Sequence, residues 1–376
     1  MNDTMNETTS PVPTSLPSNG SPEEVQIGQI VLKVIYATFG SLGIIGNLLV
    51  CVVFIKIKTM RKTHTNVFIF NQSLIDLSSS IIFVTLKFGP EYDVIPDSVS
   101  GDLYCKVWSS EYILWGLFIA STFNLSFLSL ERYLAICHPV LHRNKVTLTK
   151  VKIIIITTWF IGFIRESYWP TMNFNENGVC SVKEWPNTGM QILVGCIAFA
   201  TEYILPLGIM AFSYGNIIKE LRRRTKPIEV QPATVSGQRL APPNQPEAQQ
   251  QEMRSKNSQE NQTTGQSTAS THKPKEDSMG RARKNVTKTM LIVSVTFIIC
   301  WSPMSISFFV YNLGGPLDYD AFYYWIMVVM VFFNMCINPF IYAIKYKQFR
   351  DGVRTVFRCN KNKVWNIEES TQSTTA

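Results

Sequence analysis

The chain has 376 residues, of which 46% are apolar and 16% are charged, and its formal net charge is +8. These averages fit either a globular or a membrane-embedded protein. The positive charge does not predict a nucleic-acid partner, because the Lys and Arg residues lie in short segments between apolar runs and not on a soluble domain.

The first 29 residues are polar and rich in Pro, Ser, Thr and Asn. They lack the basic start and the apolar core of a cleavable signal peptide, so we expect the first apolar run to direct membrane insertion itself. This composition predicts a disordered extracellular segment. Asn2 and Asn6 begin Asn-x-Thr acceptor sequences and are predicted glycosylation sites.

Seven apolar runs follow, each close to or above the roughly 20 residues that cross a bilayer. They occupy residues 31–55, 66–88, 113–137, 151–169, 190–218, 286–310 and 324–344. The pattern predicts an all-α membrane protein, a seven-transmembrane helix bundle with spans one to five in residues 30–221 and spans six and seven in residues 285–345. The polar residues 222–284 and 360–376 predict a disordered inner loop and a disordered cytoplasmic tail.

Lys and Arg crowd the segments after the first, third, fifth and seventh runs, and none precedes the first run. By the positive-inside rule, the amino terminus lies outside and the carboxyl terminus inside. Cys105 and Cys180 then fall in outward segments, where the oxidising compartment favours a disulfide between them.

Residues 346–359 predict a short amphipathic eighth helix on the inner surface of the lipid bilayer. Its apolar face comprises Phe349, Val353, Val356 and Phe357, and Cys359 after it is a predicted palmitoylation site.

Asp76 places a carboxylate near the middle of the second run, where a charge is costly and usually marks an ion or proton site. Ser121, Asn334 and Asn338 carry oxygen atoms on other runs and predict, with Asp76, a site for an allosteric sodium ion. The alternative is a polar cluster with a structural role only. No other cofactor or metal is expected.

Five motifs lie in order on five runs and together resemble the rhodopsin-like class of G-protein-coupled receptors. The resemblance spans about residues 29–359 and has the character of the peptide receptors. The motifs are Gly46-Asn47, Leu74-Ile75-Asp76, Glu131-Arg132-Tyr133, Cys300-Trp301-Ser302-Pro303 and Asn338-Pro339-Phe340-Ile341-Tyr342.

The resemblance implies a plasma-membrane receptor whose partners are an extracellular ligand, a heterotrimeric G protein, arrestin and receptor kinases. Pro303 permits a hinge in the sixth span, because proline removes a helix hydrogen bond. Outward movement of that span would open an inner cavity for the G protein. The implied activation residues are Glu131, Arg132, Tyr133, Tyr214, Pro303, Asn338, Pro339 and Tyr342.

Several residues depart from the family pattern. Cys105 lies two residues farther from Arg132 than is usual, which predicts a bulge or a shifted start in the third span. Arg283 stands where many members carry an acid that holds Arg132. Gln72 and Thr122 replace apolar residues of the core.

Two sequence positions reduce the number of ligand classes that the resemblance allows. Phe332 stands where opsins carry their Schiff-base lysine, which argues against a photoreceptor. Where amine receptors carry an aspartate, this chain has Tyr112 or Leu114, with Glu111 close by, so a biogenic amine is the alternative and not the first expectation.

Glu202, in an apolar run, needs a cationic partner, which Lys87 or a ligand cation would supply. We therefore expect a peptide or other cationic ligand, with Glu202 and Glu111 as its anionic contacts. The expected lining residues are Lys87, Glu111, Tyr112, Trp115, Phe118, Glu202, Trp301, Met304, Phe308, Tyr324, Val328 and Phe332.

Three other interpretations compete. A transporter or channel predicts internal repeats or broken helices in matching halves, and the sequence has neither. An enzyme is disfavoured, because the chain has four His, all at or beyond the inner face, and no visible metal-ligand cluster. A non-signalling, receptor-like scaffold would not need the intact inner motifs.

Overall fold

The computed structural model describes residues 22–89, 95–225, 278–318 and 321–357. Asn2, Asn6 and Cys359 lie outside these ranges, as do most of the predicted disordered segments. The side chain of Arg283 is also outside the described part.

The described chain forms the predicted seven-helix bundle. Six helices are each long and apolar enough to cross a membrane, and the bent pair Pro139–Lys145 and Leu148–Met172 supplies a seventh span when it is counted as one. The spans are the helices Pro22–Lys56, His64–Phe88, Tyr112–Cys137 and Leu148–Arg165, the fifth span described below, Ser278–Asn312 and Phe322–Lys345.

The fifth span consists of helix Thr188–Ala198, the π-helical segment Phe199–Ile204 and helix Leu205–Thr225. The eighth helix is Lys347–Phe357. Shorter helices are Lys58–Lys62, Val99–Leu103, Pro139–Lys145, Glu166–Tyr168 and Trp169–Met172. We call the two ends of the bundle outer and inner according to the orientation that the positive-inside rule predicts. The outer face carries an antiparallel hairpin of β1 (Asn173–Glu176) and β2 (Val179–Val182), which the all-α prediction did not include.

Three helices extend beyond the predicted limits of the spans. The first begins at Pro22, the fifth continues to Thr225 and the sixth begins at Ser278, so the predicted segments 1–29 and 222–284 are partly helical. At the end of the fifth span, Glu220 pairs with Arg223 and Arg224 at 2.9 and 2.8 Å. Such pairs one turn apart support a helix in water, where hydropathy gives no signal.

The first span packs closely against its neighbours through small residues. A Cβ atom added at Gly43 would lie 2.2 Å from Ser80 Oγ, so only glycine allows this approach of the first and second spans. Asn47 donates to the carbonyl oxygen of Met335 at 2.9 Å and so joins the first span to the seventh.

The third span begins with the irregularity that the position of Cys105 predicts. Tyr104–Ser109 is π-helical, and Glu111 has a left-handed backbone, with φ 55°. A π-helical turn accommodates extra residues within a helix. The predicted disulfide joins Cys105 in this segment to Cys180 on β2 and thereby holds the hairpin over the bundle.

The eighth helix packs its apolar face on the bundle. Phe349 is buried, and Val353 and Val356 pack against the core, whereas Phe357 is exposed and lies off the predicted face. The preceding Tyr346 donates its hydroxyl hydrogen to Asn66 on the second span, and burial raises the pKa of this tyrosine above its ordinary value.

Candidate functional site

Lys87 and Glu111 form a buried ion pair near the outer ends of the second and third spans. Their side chains are 2.9 Å apart and 4% and 2% exposed. Glu111 reaches this position because its left-handed backbone ends the irregular segment and starts the third helix. The sequence predicted both residues as ligand contacts, but each already has an internal counter-ion, and the pair links two spans.

Glu202 pairs with Arg165 on the fourth span and not with Lys87, which corrects the predicted alternative. The closest atoms are 2.8 Å apart, and the side chains of Arg165 and Glu202 are 22% and 23% exposed. Glu202 lies in the π-helical segment of the fifth span and lines a small cavity of about 50 Å³ with Tyr203 and Phe308. The side chains of this ion pair are therefore partly exposed, whereas those of the Lys87–Glu111 pair are buried.

Four rings from the third, sixth and seventh spans form an aromatic floor in the core of the bundle. Trp115, Phe118 and Trp301 contact one another with ring centroids 5.4 to 6.4 Å apart, and Phe332 lies 6.2 Å from Phe118. The indole N–H groups of Trp115 and Trp301 are buried without a hydrogen-bond partner among the described residues.

The other predicted lining residues do not all face one space. Met304, Tyr324 and Val328 are buried in the same core cluster as the floor. Tyr112 instead donates its hydroxyl hydrogen to the carbonyl oxygen of Phe163 at 2.9 Å, which places it against the fourth span. The predicted set is therefore a core cluster with two ion pairs at its edge.

Pro303 lies inside the sixth helix, one turn above the buried Cys300. The hydroxyl groups of the neighbouring Ser302 and of Tyr203 form a hydrogen bond of 2.6 Å, which joins the sixth span to the fifth beside Glu202. This hydrogen bond lies next to Pro303, where the sixth helix lacks a backbone donor.

Asp76 is buried and accepts hydrogen bonds from three spans. The amide of Asn338 donates to Oδ2 at 2.9 Å, Gln72 donates to Oδ1 at 3.0 Å, and the hydroxyl of Ser121 lies 3.5 Å from Oδ1. Asn334 is buried, and no hydrogen bond joins it to Asp76 in the described part of the chain.

The groups around Asp76 do not fit a sodium ion. Hard cations bind oxygen lone pairs, but Asn338 turns its NH₂ group towards the carboxylate, and the Gln72 nitrogen lies within hydrogen-bond distance of both Asp76 and Ser121. Three donors already satisfy the carboxylate. Of the predicted cage, Asn338 and Ser121 thus donate to Asp76, and the Oδ1 atom of Asn338 is buried without a partner among the described residues.

Glu131 and Arg132 form a bidentate pair at the inner end of the third span. Both oxygen atoms of Glu131 accept from the guanidinium at 2.6 Å. His142, on the short helix after the third span, lies 2.9 Å from Oε1, and Thr65 on the second span donates to Oε2 at 3.2 Å. The Glu131 carboxylate is thus contacted from the second span, the third span and the short helix. Arg283 is a base, so it does not supply the acid that holds Arg132 in many members of the family that the motifs resemble.

An inner cavity of about 720 Å³ opens beside this pair, between the second, third and sixth spans and the start of the eighth helix. Its lining includes Arg132, Ile136, Val286 and Gln348. Tyr214 accepts a hydrogen bond from Ser294 at 3.3 Å on the neighbouring sixth span. The hydroxyl of Tyr342 is buried without a partner among the described residues and can accept a new contact.

The inner cavity also brings together a group that the sequence did not predict. His64, Glu131 and His142 each offer one metal-ligand atom, and these atoms lie within 4.8 Å of one another. A divalent cation there would have to displace the guanidinium of Arg132 from the carboxylate. The set fits a hydrogen-bonded clamp on Glu131 better than a metal centre.

Sequence reasoning missed Arg165 and His142, and it noted Gln72 as a departure from the family pattern without assigning it to the Asp76 site. Arg165 was visible as a cation inside the predicted fourth span, and Gln72 as an amide one turn before Asp76. His142 carried no signal, because its distance from Glu131 depends on how the chain turns after the third span.

Comparison with known proteins indicates the same receptor family that the sequence motifs resemble. A family model described as 7 transmembrane receptor (rhodopsin family) matches residues 46–342. The chain is 26% identical over 340 residues to galanin receptor 2b of Danio rerio, covering 89% of this chain and 76% of that protein. It is 26% identical over 365 residues to human cholecystokinin receptor type A (87% and 80%) and 28% identical over 372 residues to human 5-hydroxytryptamine receptor 4 (93% and 85%).

Proposed function

Because the chain belongs to the rhodopsin family of seven-transmembrane receptors, we propose that it binds an extracellular peptide or other cationic ligand and activates a heterotrimeric G protein. Membership makes it a multi-pass membrane receptor and not an enzyme. In the proposed orientation it lies in the plasma membrane with its amino terminus outside, since the basic residues follow the first, third, fifth and seventh spans.

The observation that carries this proposal is the inner cavity with Arg132 at its wall. Arg132 is held by Glu131, and the buried hydroxyl of Tyr342 has no partner in the described structure. Outward movement of the sixth span would release Arg132 and bring it to Tyr214 and Tyr342. The packings before and after this movement are two states in equilibrium. A ligand at the outer face and a G protein at the inner face would both shift this equilibrium towards the second state.

The Arg165–Glu202 pair supports the ligand class. Its side chains are partly exposed and Glu202 lines a cavity, so we infer that a cationic group of the ligand competes with Arg165 for Glu202. A simple amine that pairs with Glu202 would remove the carboxylate partner of Arg165, which is costly in a partly buried site. A peptide offers ammonium or guanidinium groups for Glu202 and carbonyl or carboxylate groups for Arg165 and the free indole N–H donors.

A biogenic amine remains the second candidate, since one relative is a 5-hydroxytryptamine receptor. The carboxylate nearest the position that amine receptors use is Glu111, and Lys87 already neutralises it. Receptor kinases and arrestin are also proposed partners. They would act on the Ser- and Thr-rich tail, residues 370–375, which lies outside the described residues.

The test is G-protein activation in membranes from cells that express the full chain, measured as nucleotide exchange against a library of peptides and amines. A saturable response to a basic peptide that is lost in Arg132→Ala would support the proposal. Glu202→Gln should then raise the half-maximal concentration about tenfold or more, as expected for a lost charge pair of about 1.4 kcal/mol.

Glu184→Gln is the matched control, because Glu184 is an exposed glutamate of the same outer face. An equal effect of both variants would refute the role of Glu202. A response only to amines that depends on Glu111 would replace the peptide proposal with the amine alternative, and ion or solute flux without nucleotide exchange would refute the receptor mechanism.

A further inference from the structure

The Gln72 side chain occupies the place where a cation would bind Asp76. Its amide nitrogen donates to Asp76 Oδ1 at 3.0 Å and also to the hydroxyl oxygen of Ser121. Gln72 is fully buried, so its amide is committed to these neighbours and not shared with solvent. A cation between Asp76 and Ser121 would have to take the position of this nitrogen.

A chain of hydrogen bonds from the fourth span fixes which end of the Gln72 amide faces Asp76. The indole nitrogen of Trp159 donates to Asn71 Oδ1 at 3.0 Å, Asn71 donates to Asn124 Oδ1 at 2.9 Å, and Asn124 donates to Gln72 Oε1 at 2.8 Å. Tryptophan is a donor only. Each amide along the chain must therefore accept on the side of Trp159 and donate on the other side.

This direction has an electrostatic consequence at Asp76. The Gln72 amide can present only its NH₂ end there, because turning it would bring its oxygen against the carboxylate and its NH₂ group against the donating nitrogen of Asn124. Asn71, Asn124 and Gln72 are all buried, and a buried amide left without partners is costly. The three amides therefore hold one another in place.

We propose that Gln72 replaces a metal cation as the internal counterpart of Asp76, so that this receptor is not regulated by sodium. The carboxylate is satisfied by three donors from the second, third and seventh spans, and its position is maintained from Trp159 through the amide chain. Sodium binding would require the breaking of at least the Gln72 bonds to Asp76 and Ser121. The predicted sodium site is thus closed in this chain by one side chain.

The test is the thermal unfolding of the full chain in nanodiscs, followed with a thiol-reactive dye that labels the buried free cysteines as they become exposed. These include Cys51, Cys300 and Cys336. Sodium chloride is titrated against choline chloride at constant ionic strength. The experiment needs neither ligand nor G protein, so its result is independent of the proposed function.

The expected result is the same unfolding temperature for the native chain in both salts. Gln72→Leu removes the amide and should gain a saturable sodium-dependent rise of about 3 °C when sodium exceeds its dissociation constant about tenfold. Adding Asp76→Asn to this variant should abolish the rise.

Trp159→Phe tests the amide chain, because it removes the donor that sets its direction. The Trp159→Phe variant should show a sodium-dependent rise in unfolding temperature that is smaller than that of Gln72→Leu. Trp185→Phe, in an outer loop, is the matched control and should show no such rise.

A saturable stabilisation of the native chain by sodium that is lost in Asp76→Asn would overturn the proposal. Sodium independence in both the native chain and Gln72→Leu would overturn the assignment of Gln72 as the cause. If Gln72→Leu does not fold, ²³Na line broadening on the native chain decides: broadening removed by Asp76→Asn contradicts the proposal, and no specific broadening supports it.

Discussion

Breaking the Lys87–Glu111 pair should destabilise the bundle far more than breaking an exposed pair. The side chains are 2.9 Å apart and at most 4% exposed. At an effective dielectric constant of about 20, two unit charges at that distance attract by about 6 kcal/mol before the desolvation cost is subtracted. Removal of one partner from a buried pair costs about 3–5 kcal/mol, since the other charge remains buried and loses its main counter-ion.

The assay is the same dye-based unfolding of the full chain. Lys87→Met should lower the unfolding temperature by about 6–10 °C, at about 2 °C for each kcal/mol in a chain of this size. The double variant Lys87→Met, Glu111→Leu should recover most of this loss, because no uncompensated charge of the pair remains.

The chain offers a matched control in Lys106 and Asp102, which form a second outer ion pair with side chains 37% and 38% exposed. Lys106→Met should leave the unfolding temperature nearly unchanged, because solvent screens an exposed pair. If Lys87→Met lowered the unfolding temperature no more than Lys106→Met does, the reasoning from burial would be refuted.

Two further predictions concern the inner lock and the packing of the spans. His142→Ala removes a hydrogen bond of 2.9 Å to Glu131 and should raise ligand-independent nucleotide exchange by up to about tenfold, the equivalent of about 1.4 kcal/mol; unchanged basal exchange would exclude this clamp. Gly43→Ala forces a Cβ atom to within 2.2 Å of Ser80 Oγ and should cost about 1–3 kcal/mol of stability, measured by thermal unfolding. Gly208→Ala, which meets nothing within 4 Å, should have little effect, and equal losses in both variants would contradict the packing argument.

The number and order of the spans were predictable from the sequence, because hydropathy is a local property and each bilayer crossing needs its own apolar run. The irregular start of the third span was also predictable, from the position of Cys105. The helical extensions at Pro22, Thr225 and Ser278 were not, since a helix outside the membrane is stabilised by side-chain pairs that an apolar pattern does not report.

The pairing of the buried charged residues was only partly predictable from the sequence. Glu202 was correctly expected to need a cation, because an unpaired carboxylate in an apolar run is costly. The choice between Lys87 and Arg165 depended on the rotation of three helices about their axes. The sequence also contained Gln72 one turn before Asp76, but its effect depended on the direction of the amides that reach it from Trp159.

The sequence by itself determined the seven spans, the disulfide and the family motifs, since these follow from local composition and from the positions of a few residues along the chain. The tertiary structure alone decided which buried charges pair, that Glu131 is held by His142 as well as by Arg132, and that an amide faces Asp76. The physical reason is that a buried polar group is satisfied by whichever donor or acceptor the packed helices bring within about 3 Å, and such neighbours are distant in sequence.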